Sequence, residues 1–281
     1  MRIGLIVPVA PPAPFLDEAL RSALDQEPPP DEHAVVHDGG GRGPAATREA
    51  ALAELGGCDW IALLDADDAW EPGKLAAQRE TIAQYPEAVL CFGRATSVDD
   101  AGRPTGEQLP EMRAGLHTAE ELAPVLYWSN PIPTSSVLVR RDALERAGGF
   151  EGPAPLASDW DLWLRLVAQG GAFVCEPGAR IRYRRHAGGV TADVAAMAES
   201  MLEVHAAHAE LVDDESRRRA EARDLVLLAR GRIRQRRYRE AAEALGRADA
   251  LLPLRGRERM MRRLVGVPGV RSALGRRRPY R

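Results

Sequence analysis

The chain has 281 residues, 45% of them hydrophobic, and a formal net charge of −3. That is length for one large α/β domain plus an appendage, with enough apolar content for a real core, which excludes a disordered chain. No run approaches the ~18 apolar residues a membrane-spanning helix needs.

Met1-Arg2 leads straight into the strand-like Ile3-Gly4-Leu5-Ile6-Val7-Pro8-Val9, which leaves no room for a signal peptide and predicts a cytoplasmic protein. The isolated Cys58, Cys91 and Cys175 lie mostly in apolar segments and read as core residues of a reducing compartment. An amphipathic helix is expected from Phe15 to Asp25, then a turn at Pro28-Pro29-Pro30, a strand over His33–His37 and a helix from Ala45 to Leu55. The apolar run Trp60–Leu64 reads as a buried strand ending at Asp65, followed by a helix from Pro72 to Gln84 and a strand from Ala88 to Gly93. This alternation predicts a parallel sheet with helical crossovers. Residues 99–125, rich in Gly, Pro and charge, read as irregular. Order returns with a strand over Ser135–Arg140, helices at Arg141–Ala147 and Asp159–Gln169, a strand at Ala172–Cys175 and a closing segment at Arg180–Arg185. Beyond Asp193 the pattern is helical, with helices expected at 193–212, 214–235 and 238–252.

The most informative motif is Asp65-Ala66-Asp67-Asp68, carboxylates at the tip of a buried strand, where open α/β sheets bind ligands. Clustered like charges raise one another's pKa unless a cation neutralises them, and an oxygen-only donor set favours a hard ion, magnesium or manganese, shared with phosphates. Taken alone, the motif reads equally as an acidic turn capping the next helix.

In order along residues 3–190, these pieces resemble the inverting family-2 glycosyltransferases. The resemblance rests on Ile3–Pro8, His37-Asp38-Gly39-Gly40, Ala46-Thr47-Arg48-Glu49-Ala50, Leu63–Leu75, Gly148-Gly149-Phe150, Ser158-Asp159-Trp160-Asp161-Leu162-Trp163 and Tyr183-Arg184-Arg185-His186. It implies a GT-A, Rossmann-like α/β fold, with a mostly parallel sheet flanked by helices, over residues 1–192. It also implies a nucleotide-sugar donor, UDP-linked, with Mn2+ or Mg2+ as cofactor. By the same resemblance Asp65 approaches the donor ribose or metal, Asp67 binds the metal, His186 lies near the diphosphate or metal, Asp38 and Pro8 shape the base pocket, and Arg48 lies near base and diphosphate. Asp68 is expected to cap the next helix. Asp159, at a helix start, is the expected general base, an ordinary N-cap being its alternative. Trp128, Asn130 and Trp160 are candidates for the acceptor cleft, or else core tryptophans and a polar turn.

Several positions depart from the family pattern: His37 replaces an acid, glycines replace the following serine and threonine, Glu49 replaces an asparagine, and Ser158 replaces an acid. They bear on which donor is used more than on the fold. The acceptor is expected to be a hydroxyl of a glycan, a lipid or a natural product. A nucleotidyltransferase of similar fold would need a Gly-rich basic loop near the first strand, and Ala10-Pro11-Pro12-Ala13-Pro14 offers none. A non-catalytic nucleotide-sugar scaffold would have no need of a base at Asp159.

The charge is unevenly spread: residues 1–200 carry 17 basic and 30 acidic side chains, residues 201–281 carry 21 and 11. Residues 193–253 read as a helical appendage. Within it, Leu225–Pro253 is similar to one tetratricopeptide helix pair, and since a lone repeat cannot bury its face, a docking hairpin is the better reading. Residues 254–281 form an Arg-rich tail, read either as a peripheral contact for an anionic membrane through residues 255–281 or as a solvated or docked basic segment. No nucleic acid partner is expected.

Overall fold

The computed structural model describes residues 1–109, 111–185 and 193–265. The chain forms two compact units, Met1–Ala187 and Gly188–Arg281. Among the described residues no helix is long and apolar enough to cross a membrane.

The first unit is built on a nine-stranded sheet. Its strands are β1 (Ile3–Val9), β2 (Glu32–His37), β3 (Trp60–Leu63), β4 (Ala69–Trp70), β5 (Ala88–Val98), β6 (Pro104–Leu109), β7 (Gly115–His117), β8 (Leu138–Arg140) and β9 (Ala172–Arg184). The order is β2-β1-β3-β8-β5-β9-β4, with β6 on β5 and β7 on β9. Parallel ladders join β1 to β2 and β3, with Ile6 level with Ala34 and Leu63. β8 runs antiparallel between β3 and β5, while β5 pairs parallel with β9, so all five principal strands point one way. The strand interiors are continuous apolar runs, as expected where both faces are covered; Ile3, Leu5, Val7, Ala62 and Leu64 are buried with Ala19 and Ala23 of the first helix.

The flanking helices are α1 (Leu16–Leu24), α2 (Gly43–Glu54), α3 (Lys74–Gln84), α4 (Ala119–Trp128), α5 (Arg141–Arg146) and α6 (Ser158–Ala168). Two expectations need correction. The region read as irregular holds β6, β7 and α4. The latter opens with a capping box, Thr118 Oγ1 accepting from Glu121 N and the Glu121 carboxylate accepting from Thr118 N. The closing segment is not separate either, because β9 runs unbroken through thirteen residues. Its length depends on an irregularity opposite Phe92–Arg94, where Cys175 pairs with Phe92 and Arg180 with Arg94. The chain between them crowds Gly93, and a Cβ on that residue would collide with the Ala179 carbonyl.

The second unit comprises α7 (Val194–Ala207), α8 (Asp214–Arg234), α9 (Tyr238–Leu251) and α10 (Gly256–Val265), each packed on the next. Gly231 lets α8 approach the start of α7 so closely that a Cβ would lie 2.6 Å from Ala195 N. The apolar core is Leu225, Ala229, Ile233, Ala241, Leu245 and Ala248, closed by Leu254 and Val265. Part of the expected basic tail is therefore the helix α10; residues 266–281 lie outside the described residues.

Candidate active site

Because β1, β2 and β3 are parallel, their C-terminal ends share one edge, and the order β2-β1-β3 makes β1 a point where the chain turns both ways. Pro8 lies near the end of β1, level with Val36. Asp38 follows β2, its N–H bonded to the Val9 carbonyl at 2.8 Å. Its carboxylate accepts from the amides of Arg42 (2.8 Å) and Gly43 (2.9 Å), satisfying N–H groups that the start of α2 leaves open. The Gly43 and Arg42 amides hold this carboxyl below its ordinary value.

Arg48, on the buried face of α2, donates from Nη2 to Asp65 Oδ1 at 2.6 Å. Burial works against its charge, yet the carboxylates of Asp65, Asp159 and Asp67 outweigh it and hold the guanidinium above its ordinary value. One arginine thus feels acids from two segments far apart in sequence. Its Nε is buried without a hydrogen-bond partner among the described residues.

Asp65 and Asp67 are half-buried, whereas Asp68 is 2% exposed. Asp68 does not cap a helix: α3 begins at Lys74 behind Gly73, and the Asp68 side chain turns inward. Its Oδ2 accepts from Ser135 Oγ at 2.6 Å and its Oδ1 from the Arg184 amide at 2.8 Å. Burial, reinforced by Asp67 and Asp65, pushes its carboxyl well above the usual range despite these two bonds. The sequence shows three acids, but the folded rim exposes two. Ser135 Oγ also accepts from the Asp65 amide at 3.0 Å, and the Ser135 carbonyl from Trp70 Nε1 at 2.8 Å. From the other side Arg184 donates from Nε to the Asp67 carbonyl (2.9 Å), from Nη1 to the Asp99 and Asp100 carbonyls, and from Nη2 to Glu18 (2.8 Å). Ser135 and Arg184 were missed as supports of this loop; their residue types carry no signal for it, because the contacts span 67 and 116 positions of chain.

Behind Trp70, Lys74 is completely buried, with Nζ 3.8 Å from the indole ring centre and donating to Gln78 Oε1 at 2.8 Å. Burial pulls its pKa from 10.5 to about 7.

Asp159, half-buried in the first turn of α6, accepts at Oδ2 from Thr134 Oγ1 (2.7 Å) and Asn130 Nδ2 (3.1 Å). Among the described residues its Oδ1 accepts no hydrogen bond, so one carboxylate oxygen is held and the other is open. Asp161, two residues on, is fully buried and paired with Arg165 Nε at 2.8 Å; Arg165 in turn binds the Gly149 and Ala147 carbonyls. Glu49 accepts from the Phe150 amide at 2.8 Å, so it braces the Gly148-Gly149-Phe150 turn.

The acceptor candidates divide. Asn130 is committed to Asp159 and to the Ile132 amide, and Trp128 ends α4 at 48% exposure. Trp160 must be corrected: it is 4% exposed with Nε1 bonded to the Leu126 carbonyl, so it packs α6 on α4 and offers no stacking face. His186 lies outside the described residues. Among those residues no group of three or more His, Cys, Asp or Glu side chains could hold a metal ion. The carboxylate oxygens of Asp65 and Asp67 are hard donors of the kind that magnesium and manganese accept.

A sheet whose parallel strands deliver two half-buried carboxylates, a buried arginine and a held aspartate to one rim belongs to the GT-A class of α/β folds. Solved structures agree. S. aureus TarS, residues 1–349 in complex with UDP-GlcNAc, superposes with a TM-score of 0.65 at 15% identity, covering 98% of this chain and 88% of that one. The mannosyltransferase PcManGT from Pyrobaculum calidifontis, in complex with GDP-Man and Mn2+, gives 0.53 at 17%, covering 98% and 86%. Residues 35–148 match the model for Glycosyl transferase family 2. Among characterised relatives, the pre-mycofactocin glycosyltransferase of Mycobacterium tuberculosis is 29% identical over 151 residues, 53% of this chain and 30% of that protein. The N-acetylglucosaminyl-diphospho-decaprenol L-rhamnosyltransferase of the same species is 28% identical over 175 residues, 52% of this chain and 56% of that protein. The chain thus spans less than two thirds of either relative's length.

Proposed function

We propose that this protein is an inverting, metal-dependent glycosyltransferase that moves a sugar from a nucleotide donor, UDP-linked, to a hydroxyl of a glycan, lipid or natural-product acceptor. The observation that supports this reading is Arg48, whose guanidinium donates to Asp65 at 2.6 Å and is favoured by the carboxylates of Asp159 and Asp67 as well. Asp38 and Pro8 bound the nucleobase end, Asp65 the ribose, and Asp67 with His186 the metal. Bound Mn2+ or Mg2+ would supply Lewis-acid stabilisation of the departing diphosphate. Arg48, with a donor to spare, adds fixed positive charge beside that group. The open Oδ1 of Asp159 takes the acceptor proton as the oxygen attacks the anomeric carbon, and attack opposite the leaving group inverts that centre.

The test is Asp159→Asn. Turnover should fall by about a thousandfold, while Mn2+-dependent binding of UDP, read by calorimetry, stays within about threefold. Near-wild-type turnover with intact binding refutes the assignment.

We further infer a peripheral contact with anionic membrane through residues 255–281, supported by the exposed Arg255, Arg257 and Arg259 and the 56% exposed Met260 of α10. Sedimentation with phosphatidylglycerol vesicles, lost at high salt and absent with phosphatidylcholine vesicles, is the expected result.

A further inference from the structure

The turn Thr134–Ser136 touches both halves of the candidate site. Thr134 Oγ1 donates to Asp159 Oδ2 at 2.7 Å, while the neighbouring Ser135 Oγ takes the Asp65 amide at 3.0 Å and donates to Asp68 at 2.6 Å. The turn itself is pinned. Ser136 Oγ donates to the Pro133 carbonyl (2.7 Å), the Ser136 carbonyl accepts from Gln78 Nε2 (2.8 Å), and the Ser135 carbonyl accepts from Trp70 Nε1 (2.8 Å). Ser135 and Ser136 are completely buried and Thr134 is 8% exposed. Four residues earlier, Asn130 Oδ1 accepts from the Ile132 amide at 3.1 Å, which fixes the amide so that Nδ2 faces Asp159. A β-branched threonine restricts χ1, so its hydroxyl is directed before the carboxylate arrives.

We propose that the Thr134–Ser135 dipeptide is the spacer of the cleft: Thr134 is a positioning residue for Asp159, and Ser135 a positioning residue for the Asp65–Asp68 loop. Successive Cα atoms are about 3.8 Å apart across a trans peptide, so a single covalent link sets the separation between the two halves. Neither side chain needs to touch substrate. The inference rests on the reading of Asp159 as base and of the Asp65–Asp68 loop as the donor side, and it adds that adjacent residues govern separate kinetic quantities.

The experiment uses the full chain, with Mn2+ and whichever of a panel of UDP- and GDP-linked sugars the wild type hydrolyses fastest; release of nucleotide gives kcat and donor KM, and calorimetry gives UDP affinity. Thr134→Val, which keeps the shape and removes the hydroxyl, should lower kcat about tenfold with KM and UDP affinity unchanged, and Thr134→Ser should restore most of it. Ser135→Ala should weaken UDP binding and raise KM about tenfold while kcat stays within about threefold. If Ser135→Ala proves unstable, Ser135→Cys keeps a weak donor and should give a smaller shift of the same kind. A merely structural turn would give lowered melting temperatures with kcat and KM moving together in both variants, which overturns the spacer. If Asp159→Asn abolishes turnover but Thr134→Val leaves kcat unchanged, the spacer falls and the base assignment stands. If the wild type releases nucleotide from no sugar in the panel, or Asp159→Asn remains active, the functional reading itself falls and the spacer with it.

Discussion

Around Ser135 the first unit buries a serine hydroxyl, the Asp68 carboxyl, the Arg184 amide and, behind Trp70, a whole lysine. The second unit fills most of its interior with Leu225, Ala229, Leu245 and Ala248 and places arginines in exposed pairs such as Arg239 with Glu243 and Arg247 with Glu221. Its main exception is a buried His205–Asp224 pair at 2.7 Å. Polar groups taken out of water are costly unless they are matched, so a network of them at one strand edge marks where the fold gives up stability for chemistry. The helical unit shows what the same chain does where packing dominates.

The comparison can be broken in four places, in decreasing order of expected effect. Leu245→Ala removes a completely buried side chain from the helical core and should destabilise by about 3 kcal/mol in denaturant titration. UDP affinity should be unaffected under folding conditions, and a changed affinity would mean that the second unit serves the site. Lys74→Met tests the opposite case. With its folded pKa at about 7 against 10.5, Lys74 binds fewer protons folded than unfolded between those values, so its contribution rises with pH there. From pH ~7.5 to ~9 the stability difference should move in favour of wild type by roughly 2 kcal/mol; parallel stability-pH curves for the two proteins would show that Lys74 does not titrate in this range. Thr118→Ala deletes the capping box of α4 and should cost about 1 kcal/mol of stability with kcat retained. Arg239→Ala, at an exposed pair, should leave the melting temperature within about 1 °C; a larger loss would place energetic weight on the surface of the helical unit.

The sequence made the framework legible where periodicity and strand-end chemistry coincide. β1 to β3, α1 to α3 and the helix carrying Asp159 all followed from apolar runs and their breaks, and Arg48 of one motif pairs with Asp65 of another. What stayed hidden was of two kinds. β6 is almost wholly exposed, so it has no alternating pattern to read, whereas α4 was announced by Thr118-Ala119-Glu120-Glu121 inside a stretch judged by its glycines and prolines. The other kind is long-range: nothing within Asp65-Ala66-Asp67-Asp68 distinguishes the inward acid from the outward ones, because Ser135 and Arg184 decide it. For Trp160 the core alternative holds over the acceptor one, its partner being a carbonyl on α4.

Gly93 lies far along the chain from both Asp65 and Asp159, yet the crowding it permits opposite Ala179 lets β9 continue to Arg184. In a saturation mutagenesis map scored by the proposed nucleotide binding, this position would stand out because any side chain there meets the Ala179 backbone. Heritable variation at residue 93 would act on the Asp65–Asp68 loop at a distance, by moving the register that brings Arg184 to Asp67 and Asp68.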